Sequence, residues 1–92
     1  MEDQNKLTNR EKILAYVPEE DLLFADGFDD AIIGLDTQSL RVVYSKQKMI
    51  DILEPEMGVD DAIEYLEFNT WCAFVGHQTP IYIDEIDVFE TE

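Results

Sequence analysis

The chain reads as a small α+β domain, and three observations predict it. It has 92 residues, 46% of them apolar and 11% aromatic, enough to bury one core. Two β-rich runs, at 31–35 and 40–44, are separated by Asp36, Thr37, Gln38 and Ser39, which is a four-residue hairpin connection. Helix-start signals flank that hairpin, with Thr8 followed three residues later by Glu11 on one side and Ser45 on the other. The expected architecture is a small antiparallel sheet, built from the hairpin 31–44 and a strand near 81–84. It packs against two or three helices, the longest at about 60–75. Residues 1–7 read as a flexible polar arm, and 8–92 as a single domain ending in an acidic segment, 84–92.

Each element has a local reason. Thr8 and Glu11 form a capping box ahead of Ile13, Leu14 and Val17, and Pro18 blocks continuation beyond Val17. Glu19, Glu20 and Asp21 suit the positive end of a second short turn or helix carrying Leu22, Leu23 and Phe24, which Asp26 and Gly27 stop. Along the second strand Leu40, Val42 and Tyr44 share one face. Arg41 shares the other with Val43 and is expected to meet solvent or a carboxylate from Asp29, Asp30 or Asp36. Gly34 reads as a strand glycine beside close packing. Ser45 caps a helix over 46–54 that Pro55 ends, and Lys46 and Lys48 oppose the helix dipole in its first turn. The long helix begins at Gly58 or Asp60 and closes at Gly76, with apolar residues over so wide an arc that it is either central or buries a second face. Thr79 and Pro80 then lead into a third strand at Ile81, Tyr82 and Ile83.

Charge restricts the function. Twenty-two acids against six bases give a formal charge of −16, and no lysine or arginine follows Lys48. Such an excess destabilises a compact fold through self-repulsion and speaks for a cationic partner. It argues against direct nucleic-acid binding, which needs a basic footprint, and against anionic membrane surfaces. No run approaches the roughly 18 apolar residues of a membrane span, residues 1–10 lack an apolar signal region, and the single cysteine fits a reducing cytoplasm. A homodimer is a further way to gain stability.

The chemistry-bearing residues favour binding over catalysis. Cys72 and His77 are the only thiol and imidazole, and they read as an inert thiol on an apolar helix and a loop histidine, too few for zinc. Asp26, Asp29, Asp30 and Asp36 gather oxygen around a turn but lack the calcium-loop spacing. No metal, cofactor or catalytic residue is therefore assigned. Asp60, Glu64 and Glu67 follow a four-then-three spacing that aligns them over roughly 10 Å of helix. With Asp61 beside them and Asp84, Glu85 and Asp87 near the end, they are the expected partner-binding carboxylates. Trp71, Ile86 and Phe89 are the expected apolar interface residues.

The strings DGFDDAIIG at 26–34, RVVYS at 41–45, DAIEYLEFN at 61–69, and Gly76 followed by TPI at 79–81 resemble a family of small uncharacterised proteins encoded in tailed-phage and prophage genomes. The likeness spans 25–83. It departs from many relatives, which have small residues after the FN pair, in carrying Trp71 and Cys72. The resemblance implies a phage origin and a bacterial host cytoplasm. Joined to the charge, it yields the expected function: an acidic, non-enzymatic protein that binds a basic surface of a host nucleic-acid-handling or defence protein and inhibits or redirects it, standing in for nucleic acid. The alternative is a small structural or assembly accessory acting through apolar surfaces.

Overall fold

The computed structural model describes residues 7–17 and 22–89, so the expectations for 1–6, 18–21 and 90–92 lie outside the described residues. The architecture is α+β. Helix α1 (Asn9–Tyr16) is followed by strands β1 (Ile32–Asp36) and β2 (Arg41–Ser45), helices α2 (Lys46–Met57) and α3 (Val59–Asn69), and strand β3 (Ile81–Ile83). The Thr8 hydroxyl accepts the Glu11 N–H while the Glu11 carboxylate accepts the Thr8 N–H, both at 3.0 Å, completing the expected capping box. Leu22, Leu23 and Phe24 lie in irregular backbone rather than in a turn of helix.

The sheet has the order β1-β2-β3 and is mixed, which corrects the all-antiparallel expectation. β1 and β2 form the hairpin, with Asp36 opposite Arg41 and Ile32 opposite Tyr44, whereas β3 lies parallel to β2 with Tyr82 opposite Tyr44. The chain leaves β2 through two helices and returns by a crossover, and a crossover yields parallel pairing where a tight turn would yield antiparallel. Gly34 follows a register shift after Ile32, and a Cβ there would meet nothing within 4 Å. The glycine therefore serves a bulge and not close packing.

The hairpin turn closes through Leu40, whose N–H donates to the Asp36 carbonyl at 2.7 Å with φ at +57°. Asp36 holds the turn from the side chain, accepting the Gln38 N–H and the Ser39 hydroxyl, each at 3.0 Å. Those bonds, the one from Gln38 foremost, hold its carboxyl below the usual range. Its contribution is therefore present at neutral pH and is lost as acid protonates the folded carboxylate.

The longest helix is α2, not a helix over 60–75. α2 runs past Pro55 to Met57, because a proline in a last turn gives up a single bond, to the carbonyl of solvent-exposed Asp51. α3 stops at Asn69. There the Leu66 carbonyl accepts both the Thr70 N–H at 2.9 Å and the Trp71 N–H at 2.7 Å, which winds the chain out of the helix. Trp71 is then carried back onto α2, where its indole N–H meets the Met49 sulfur at 3.4 Å. Burying that side chain outweighs the helical tendency of the residues that follow. Gly76, at φ +115°, opens the turn before β3 instead of ending the helix, and its carbonyl accepts from both the N–H and the hydroxyl of Thr79.

The core gathers Ala31, Val42, Tyr44, Met49, Ala62 and Leu66, all fully buried. Val42 and Tyr44 occupy the inward face of β2 as their alternation requires. Gly58 joins α2 to α3 at φ +84° and ψ 163°, a region open in practice to glycine alone. Gly58→Ala is expected to cost about 1–3 kcal/mol, read as a lower urea midpoint with an unchanged denaturant slope.

Candidate acidic and aromatic docking surface

α3 turns Ala62 and Leu66 fully inward and half-buries Ile63, and its packing partner is α2. At 100° per residue, Glu64 falls opposite that buried stripe while Asp60 and Glu67 fall on one flank of it, and all three are exposed. Their side chains are free, but the backbone that carries them is fixed by the core. Asp60 and Asp61 also sit in the first turn, where the helix dipole favours negative charge. Asp61, likewise exposed, lies opposite the buried stripe, beside Phe68 and Tyr65.

The second acidic group follows β3 directly and so belongs to the sheet edge. Asp84 and Asp87 are exposed and Glu85 is half-buried. Ile86, in a short 3-10 turn at Ile86–Val88, is 79% exposed, and Phe89 just after it is 59% exposed. Trp71 differs from these two. It is half-buried against the core and presents its ring to the Lys46 ammonium at 4.9 Å, so it is turned inward rather than offered to a partner.

The apolar surface is larger than composition implied. Phe68, on the outer arc of α3, and Phe74, in the chain after it, are left 79% and 80% exposed, and Tyr65 and Val75 are exposed as well. Between the 22–28 segment and the C-terminal end of α3 lies an open groove of about 480 Å³. Phe24, Asp26 and Phe28 line one side, Tyr65 and Asn69 another, and Tyr82 closes it. Asp26 and Tyr65 were not among the residues expected to bind. The one sequence signal for them is the Asn69-Thr70 pair, poor helix formers in the middle of an apolar run.

The cations are held mostly by aromatic rings and carbonyls. The Arg10 guanidinium lies 4.4 Å from the Phe24 ring centroid and 3.9 Å from Asp29 Oδ1, while Arg41 Nε donates to the Thr79 carbonyl at 2.6 Å. Arg41, expected to meet solvent or a carboxylate, instead meets a backbone oxygen that ties the hairpin to the turn before β3. Lys46, which opposes the α2 dipole, stacks on Trp71. Among the described residues no group of three or more His, Cys, Asp or Glu is arranged to hold a metal ion. Cys72 lies in the turn after α3, exposed to solvent, where a place on an apolar helix was expected. No helix among the described residues is long and apolar enough to cross a membrane.

No family model, curated protein or solved structure matches this chain.

Proposed function

We propose that this chain is an acidic interaction protein that docks on a basic surface of a nucleic-acid-handling or defence protein and blocks or redirects it, without catalysis of its own. The reading is carried by the exposure of Asp60, Glu64 and Glu67 along one side of a helix that Ala62 and Leu66, both fully buried, anchor to the core. A basic nucleic-acid channel is built to meet charge at about one unit per 1.7 Å of duplex axis. Carboxylates on a rigid helix, in a chain of net charge −16, offer that channel a preformed competitor. On the phage resemblance, we further propose a partner in a bacterial host cytoplasm.

A second reading rests on a different observation. Phe68, Phe74 and Ile86 are each about four-fifths exposed, which suits an assembly accessory that works through apolar contact. Salt separates the two. Charge-driven capture of host proteins should be strong at about 0.05 M salt and almost absent at about 0.5 M, where screening is within a few ångströms. The captured partner should release the chain when duplex DNA is added. Capture that survives high salt and ignores DNA supports the accessory instead.

A further inference from the structure

We propose that the groove between the 22–28 segment and the C-terminal end of α3 receives arginine side chains of the partner, so that the surface reads an arginine-bearing segment and not merely positive charge. This deepens the reading above and rests on it.

The protein already shows the arrangement once within itself. Arg10 stacks on Phe24, a wall of the groove, with a carboxylate of Asp29 beside it at 3.9 Å. The same pairing recurs unfilled on α3. Asp61 and Tyr65 stand one helical turn apart on one face, as do Glu64 and Phe68; all four are exposed, Tyr65 lines the groove, and the other three lie on the surface beyond it. A planar guanidinium can lie on such a ring and fork to the neighbouring carboxylate together, whereas an ammonium is a strongly hydrated point charge that gains less from the ring.

The groove has room for this. At about 480 Å³ it falls within the range of ordinary ligand pockets. Among the described residues its lining holds one carboxylate, Asp26, and no lysine or arginine. Charge complementarity selects the occupant. A second copy of a chain at −16 would bring like charge to Asp26, and an uncharged apolar peptide would leave it unanswered.

The test uses two uniformly charged octapeptides, one of arginine and one of lysine, titrated calorimetrically into the full chain at low and moderate salt. The arginine peptide is expected to bind about 5–20-fold more tightly. That preference should vanish in Tyr65→Leu and persist in Tyr65→Phe. Ala73→Trp, at an exposed position on the groove wall, should remove it by filling the space. Equal affinity for both peptides, unmoved by Tyr65→Leu, overturns the groove and leaves charge-driven docking standing. Binding of neither peptide at low salt overturns both readings. A chain that sediments as a dimer disrupted by Ala73→Trp assigns the groove to a second copy and likewise overturns the proposal.

Discussion

Tyr44→Ala is expected to lose about 3–5 kcal/mol, much of the roughly 5–14 kcal/mol that holds a chain of this length folded. Tyr44 is fully buried on the central strand, with its ring tilted against Tyr82 at 5.6 Å between centroids. Its hydroxyl accepts the Ala25 N–H at 2.7 Å, so one side chain secures the sheet and fixes the irregular segment that forms one wall of the groove. Tyr44→Phe keeps the ring and orphans that N–H, for an expected loss of about 1–3 kcal/mol. Urea unfolding of the two variants measures the division. If both lose the same amount, the hydrogen bond dominates and the packing account fails.

The same residue sets an alkaline limit. Burial pushes the Tyr44 phenol from 10.0 up to about 12, with the Ala25 bond opposing, and burial raises Tyr82 as well. A raised phenol favours the neutral form in the folded state. Its contribution is therefore complete below about pH 10 and is lost as the pH climbs through about 12, because the unfolded chain ionises first. Tyr44→Phe should reduce the slope of stability across that window, leaving the part due to Tyr82, and a slope equal to that of the unsubstituted chain would count against the assignment.

Neutralising Asp60, Glu64 and Glu67 together, as Asp60→Asn, Glu64→Gln and Glu67→Gln, is expected to weaken capture of a basic partner by roughly 10–100-fold. Exposed charges contribute about 0.5–1 kcal/mol each, and 1.4 kcal/mol is a factor of ten. Stability should move little. Asp60 gives up a favourable place in the first turn of α3, while loss of three charges eases the repulsion of a −16 chain. A variant that folds normally and binds as before shows that the contact lies elsewhere. The dissociation constant and melting temperature, taken on the same samples, separate lost contact from lost fold.

What was legible in the sequence was local. Thr8 with Glu11, Ser45 ahead of α2, and the alternation of Val42 and Tyr44 are satisfied by neighbours a few residues away, and each stands where expected. Strand bounds shifted by one residue, as the Leu40 turn conformation took that residue out of β2. The misreadings arose from distant contacts. Trp71 looked like the middle of a long helix, yet Met49, 22 residues earlier, draws it out of one. The direction of β3 depends on the path through α2 and α3, which no short window contains. For the docking surface, the outward acids of α3 followed from spacing, while the groove depended on where the helix ended.

β3 reaches its place beside β2 only after both helices have been made, so one side of the sheet is completed late. While the ribosome is still producing residues up to Ile83, the backbone of Val43 to Ser45 stands with its outer row of amides and carbonyls open. Nascent chains crowded on one messenger would meet at that row. Like charge between acidic copies opposes such a meeting, and pairing with β3 closes the row.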